Sequence, residues 1–214
     1  MPTNRGQDAR RQDQEVGQGS DLRSSMSNRF VQFDTVAVKH AAAVMDLRGV
    51  HDSAYMSLGE SFKDRFPSTA AFHFNPDFKR NTRLVDCLIN VMNMMVCSER
   101  LTDFIRSKKP DKVEFLPVTI FDMKDKPVAA SYFIVHPIDP VDCIDVAASD
   151  VTWSVLDPTT IRYAEHVAID EARVPPQHLI FRPKSFPGML LLQREFALDI
   201  EKADFTGFGW NEIE

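Results

Sequence analysis

Cysteine and glycine are scarce in this chain, and their scarcity removes several function classes. The 214 residues include three Cys and eight Gly. Cys87, Cys97 and Cys143 are odd in number, and none stands in CxxC or Cys/His metal spacing. That excludes a disulfide framework and a zinc ribbon. The three read as buried, reduced thiols of a cytoplasmic protein. Neither GxGxxG nor GxxxxGK[ST] occurs, so both glycine-rich phosphate-cradling signatures are missing.

Long apolar runs are also missing. No stretch reaches the roughly 18 apolar residues of a membrane-spanning helix. The most apolar run, Leu84 to Val96, is broken by Asp86, Asn90 and Asn93. The first residues lack the apolar centre of a secretory signal, so we expect a cytoplasmic location and no membrane partner. Cations are in deficit: 25 Lys and Arg stand against 31 Asp and Glu, a formal charge of −6. Such a chain is poorly suited to neutralising phosphates, so we expect no nucleic-acid partner. It is better suited to a basic protein partner.

Catalytic signatures are equally thin. The six His (His40, His51, His73, His136, His166 and His178) show no HExxH or HxxxH spacing. Ser98 and Ser185 stand in no GxSxG elbow. His136 lies close in sequence to Asp139 and Asp142, either as an acid/base pair or as an imidazole paired with a loop carboxylate. We expect no enzyme activity, no cofactor and no metal.

Phenylalanine is what the chain has in quantity. Sixteen Phe against three Tyr and two Trp promise an aromatic interior. Trp153 and Trp210 read as core, or as interface anchors if exposed. Residues 1–27 are polar, with charges that cancel, and read as an unstructured tail. The −6 therefore sits on the body, 28–214, and the native chain starts at either Met1 or Met26.

Phe30–Val38 is a predicted strand. Ala-rich His40–Met45 reads as a helical turn. Residues 46–82 read as a loop-rich segment with short helices that lays Phe62, Phe66, Phe72, Phe74 and Phe78 on the core. Leu84, Leu88, Val91 and Met95 have amphipathic-helix spacing, although Met92–Val96 equally fits a short buried strand. Ser98 is a predicted N-cap for a helix over Glu99–Ser107, with Leu101, Phe104 and Ile105 inward and Pro110 as its stop. The period then becomes two: Val113–Phe121 and Ala129–Val135 predict a hairpin. Further strands are expected at Thr152–Val155, Thr160–Tyr163, His166–Ile169, His178–Phe181 and Phe205–Trp210. The last helix is expected over Leu190–Lys202, after Gly188.

A shift of 95 residues aligns Val96–Leu101 with Leu191–Phe196, Ile105 with Ile200, Val113 with Phe208 and Phe115 with Trp210. Either two helix–strand units are alike by chance, or one packing unit is duplicated. The predicted fold is a single α+β domain, with a mixed or mainly antiparallel sheet, a few packed helices and this possible internal duplication.

The ordered set MVCSERLTDFI…VEFLPV, YFIVHPIDPVDCID and IFRPKSFPGMLLLQREF resembles a bacterial immunity-protein family encoded beside polymorphic toxins. That family was first noted as a domain of unknown function in myxobacteria. The resemblance covers roughly residues 72–210 and rests on Val96–Leu101, Val113–Phe115, Val141–Asp145 and Phe186–Gly188. At the second helix start, Gln193-Arg194-Glu195 replaces a Ser-Glu-Arg-like start, which weakens the cap. The resemblance implies an immunity protein that binds and neutralises a cognate toxin effector in bacterial competition, without a catalytic site. The alternatives are an enzyme of unrecognised class using clustered Asp and His, or an effector adaptor or chaperone.

Two acidic groups are the candidate toxin interface. Asp139, Asp142, Asp145 and Asp150 form one; they serve either a cationic partner or the local turns and caps. Glu195, Asp199 and Glu201 form the other, in a C-terminal segment, Met189–Glu214, with a net charge of −4; the alternative is an ordinary solvated helix face. Ser98, Glu99 and Arg100, with Phe186, Pro187 and Gly188, read as structural motifs. Pro187 fixes φ and Gly188 is expected to allow a tight approach into the last helix.

Overall fold

Alternate residues of the 113–121 segment, Leu116, Val118 and Ile120, are buried, as a period of two requires. They face the interior of a closed barrel. A computed structural model describes residues 28–213. The expected tail over 1–27 and both candidate starts lie outside the described residues.

The barrel has six strands: β2 (Ala43–Arg48), β3 (Ala71–Phe74), β4 (Cys87–Asn90), β5 (Met95–Ser98), β6 (Val113–Phe121) and β7 (Tyr132–Pro137). Their order is β2-β3-β6-β7-β5-β4, closed by parallel pairing of β4 with β2. Closure leaves no unpaired edge. The interior holds Val44, Phe72, Leu88, Val96, Leu116, Ile134 and their neighbours.

A second, antiparallel sheet has the order β10-β11-β1-β12, with β1 at Phe30–Thr35, β10 at Ile180–Phe181, β11 at Leu191–Gln193 and β12 at Phe208–Asn211. Its two faces carry two different cores. Val31, Phe33 and Leu192 face a layer that includes Leu101 and Ile105 of α2 (Glu99–Ser107), Phe196 and Ile200 of α3 (Arg194–Lys202), and outward barrel residues such as Met95 and Val135. Phe30 and Leu191 face the other way, onto Cys143, Ile144, Ile161 and Val167. A two-stranded ribbon, β8 (Asp150–Trp153) with β9 (Ile161–His166), lies on that second side, and a four-residue helix, α1 (Ala54–Ser57), precedes β3.

The fold is therefore broadly α+β but β-rich, and the barrel went unforeseen. One expected helical turn is a strand, and of the two readings left open for Leu84–Val96 the strand holds at Met95 and Val96. His40–Met45 enters β2, where barrel pairing of Ala43 and Val44 with Ile89 and Asn90 overrides the helix propensity of Ala. The Leu84–Met95 periodicity belongs to the β4–β5 hairpin. The Asn90 side chain accepts from Met92 N and Met94 N, and Asn93 takes a left-handed φ of 49°. Those two residues make a turn where a helix would have to continue. Val91, which helix spacing would bury, is 80 % exposed.

Elsewhere the expectations hold more closely. Helix α2 spans Glu99–Ser107, and the Ser98 hydroxyl accepts from Leu101 N. The β6–β7 hairpin forms as predicted. In 46–82, Phe62, Phe72 and Phe74 are buried, while Phe78 is half-exposed. His166 ends β9, and residues 167–169 contribute an isolated bridge, Ile144 with Ile169, in place of a full strand. Helix α3 begins at Arg194, because Leu191–Gln193 pair with β1 and β10. The two Trp are neither fully buried nor free: Trp153 packs on the side of the sheet that holds Cys143 and Ile161, and Trp210 on the side that holds α2 and α3.

The echo at 95 residues is visible in the elements. Helices α2 and α3 are nine residues each and begin at 99 and 194, and the following strands begin at 113 and 208. Each unit runs strand, helix, strand. The weakened cap is visible too, because Gln193 makes no side-chain cap bond.

Candidate functional site

Asp86, just before β4, joins the two units. Its carboxylate accepts from Ser98 Oγ (2.9 Å), from Arg100 Nε (3.0 Å) and Nη2 (2.7 Å), and from Thr206 N (2.9 Å) and Oγ1 (2.8 Å). Burial alone would raise its pKa. The Arg100 guanidinium and the Thr206 and Ser98 donors outweigh that and hold the carboxyl well below its usual range. Arg100 also lies over the Phe205 ring, 4.2 Å from its centroid. Ser98 and Arg100 thus do structural work: one caps α2, and both hold Asp86 against the segment before β12. Gly207 completes the junction, since its φ is +83° and a Cβ there would run into the Cys87 carbonyl oxygen.

The Phe186-Pro187-Gly188 turn has a different role from the expected one. It leads into β11 and stands away from the start of α3. Gly188 has no left-handed φ, and a Cβ on it would touch nothing within 4 Å. Its backbone carbonyls are what the fold uses. The Pro187 oxygen accepts from Arg182 Nη1 (2.8 Å), and the Gly188 oxygen from Asn93 Nδ2 (3.2 Å). Arg182 is a buried cation that sequence reasoning missed. Among the described residues it meets no carboxylate, its Nε has no partner, and burial pulls its pKa down to about 10. Its remaining bond, 3.4 Å to the Asn93 oxygen, ties the β4–β5 turn to this segment. A lone Arg inside a β-rich sequence carries no local signal of this kind.

His136 does not meet Asp139 or Asp142. Its Nε2 bonds the Glu60 carbonyl oxygen at 2.8 Å, and burial pushes its pKa below the ordinary value. No group of three His, Cys, Asp or Glu among the described residues could hold a metal ion. The three cysteines are free and buried.

The acidic candidates separate by what they touch. Asp139 pairs with Lys112 at 2.8 Å, Asp199 with Lys108 at 2.6 Å, and Asp142 lies 3.7 Å from Arg173. The Asp145 carboxylate closes its own turn by accepting from Ala147 N and Ala148 N. Asp150, Glu195 and Glu201 form no ion pair among the described residues. The two groups also pack on opposite faces of the four-stranded sheet: α3 covers one, and the 139–150 segment, through Val141, Cys143 and Ile144, covers the other.

Charge is unevenly distributed along the chain. Residues 28–137 carry fifteen Lys and Arg against thirteen Asp and Glu, whereas 138–214 carry six against fourteen. One of those six is the buried Arg182. The barrel is close to neutral, and the last 77 residues hold the acidity. A cleft of about 810 Å³ opens beside that segment, between β9 and the β1–β12 pair. Glu165 and Glu212 are on its wall, the latter paired with Arg194 at 2.7 Å, and no Lys or Arg among the described residues lines it.

The family comparison defines the class: the profile of the immunity protein family Imm11 matches residues 18–214. The chain belongs to that family, and the match reaches well upstream of residue 72. No curated protein matches the chain. No helix among the described residues is long and apolar enough to cross a membrane.

Proposed function

We propose that this protein binds a cognate bacterial toxin effector and neutralises it by surface complementarity, without turnover and in the cytoplasm. Family membership over residues 18–214 is the observation that carries this reading. The uneven charge supports it. A segment, 138–214, with eight more acids than bases attracts a basic partner at long range and speeds encounter. Asp150, Glu195 and Glu201 are the interface candidates without an ion pair among the described residues. Asp139, Asp142, Asp145 and Asp199 would have to exchange an existing partner to meet a toxin, which lowers their net contribution.

The test is co-expression. A toxin that kills cells when produced alone should be tolerated when this protein is produced with it, and the two should co-purify in equal amounts. Binding without protection would point to an adaptor. Neither protection nor a complex, with every toxin encoded beside the gene, would overturn the reading.

A further inference from the structure

We infer that the β8–β9 hairpin is the docking element for the toxin, and that its partner surface is basic with an apolar recess. This rests on the toxin-binding reading above. At the hairpin tip, Val155 is 91 % exposed and Leu156 is 98 % exposed. Two adjacent branched apolar side chains standing in water cost the free protein solubility and contribute no core.

The turn does not need them. Its geometry is made by their polar neighbours. Ser154 N donates to the Thr160 oxygen at 2.8 Å, and Ser154 Oγ accepts from Leu156 N and Asp157 N. The Asp157 carboxylate accepts from Thr159 N, Thr159 Oγ1 and Thr160 Oγ1. The hairpin base is equally fixed: Ile161 is buried, Val151 and Trp153 pack on the core that holds Cys143 and Ile144, and Ile161 N donates to the Ser185 oxygen at 2.6 Å. Val155 and Leu156 are therefore carried on a preformed frame. Anchors that need no ordering on binding are the kind that dominate protein interfaces.

The surroundings select the partner. The ribbon's carboxylates are Asp150, Asp157 and Glu165, against the single cation Arg162. Beside it lies the 810 Å³ cleft, with Tyr163, itself 61 % exposed, and Glu165 on the β9 side. Glu165 makes no ion pair among the described residues, so it can receive a Lys or Arg from the partner. An anionic membrane would be repelled by the same charges. Neither outer edge of the ribbon is paired with another described strand, which leaves room for backbone contacts along it.

The experiment uses the full chain and the toxin that it neutralises in the co-expression test. The double variant V155S/L156S should weaken binding about 100-fold, mostly through faster dissociation, and abolish protection. Its melting temperature should stay unchanged, because both side chains are already in water. Glu165→Lys should slow association about tenfold at low salt, with the effect fading as salt rises. If the wild type protects and V155S/L156S binds within twofold of it, the hairpin assignment is wrong and toxin binding stands. If the wild type protects against no toxin, both statements fall. If the double variant loses only self-association in sedimentation, the tip meets a second copy of this chain and the toxin assignment is overturned.

Discussion

Asp86 and Thr206 are 120 residues apart and exchange three hydrogen bonds. Thr206 N and Oγ1 donate to Asp86 Oδ2 at 2.9 and 2.8 Å, and Asp86 N donates to Thr206 Oγ1 at 3.1 Å. Ser98 and Arg100 complete the cluster from the first strand–helix–strand unit, and Thr206 belongs to the second. The carboxylate is the joint between them. Asp86→Ala should cost about 3 kcal/mol, since it leaves a guanidinium and several donors without their acceptor. Asp86→Asn should cost less, because it keeps one carbonyl acceptor. Urea unfolding with an unchanged m-value measures both. A loss under about 0.5 kcal/mol for the Ala variant, the size of an ordinary surface change, would remove Asp86 from this role.

The same carboxylate makes stability depend on pH. Its folded pKa lies below the unfolded value of about 3.9. A depressed carboxyl contributes fully above the unfolded pKa, and its contribution is lost as pH falls toward the folded one. Unfolding free energy should therefore drop on acidification below about pH 4. Asp86→Asn should show a shallower drop over that window. Equal slopes for the two proteins would mean that other carboxyls carry the acid sensitivity.

Thiol chemistry offers an independent probe of the core. Cys97 has its pKa raised by burial and by neighbouring Cys87, directly opposite it on the β4–β5 pair, and burial raises Cys143 to about 12. The reactive species is the thiolate. At pH 8 the native protein should label with a thiol reagent no faster than it unfolds, while the denatured chain labels at once. Rapid labelling of folded protein would show that a cysteine is reached without opening the core.

Local chemistry is what the sequence made legible. Helix α2 was readable to the residue, because Ser98, Glu99 and the spacing of Leu101 and Ile105 all act within one turn of each other. The β6–β7 hairpin was readable because alternation is a two-residue signal. The barrel was not. Its closure depends on the parallel pairings β2–β4 and β3–β6, which join distant segments and leave no local pattern. The Leu84–Met95 stretch shows why spacing misleads there. Apolar residues on two short strands joined by an Asn turn imitate a helical stripe. The acidic candidates were visible as charges. Which of them were already engaged was not, since Lys112 and Lys108 meet Asp139 and Asp199 only in the fold. Arg182 and the exposed Val155–Leu156 tip went unread for the same reason: burial and exposure there are set by tertiary packing.

The two acidic groups make separable predictions for association with a toxin. Asp150 begins β8, on the side of the four-stranded sheet that carries the hairpin, whereas Glu195 and Glu201 lie on α3, which packs on the other face. At physiological salt a charge is felt over about 8 Å. A basic surface docked on the hairpin therefore meets Asp150 on its own ribbon, whereas Glu195 and Glu201 lie across the sheet. Asp150→Lys should reduce the association rate several-fold and reduce its salt dependence. Glu195→Lys with Glu201→Lys should leave the rate within about twofold, because steering weakens steeply as ionic strength rises. Stopped-flow association at two salt concentrations decides between the faces. A larger effect from α3 than from Asp150 would move the docking site to the helix side and remove the hairpin from the interface.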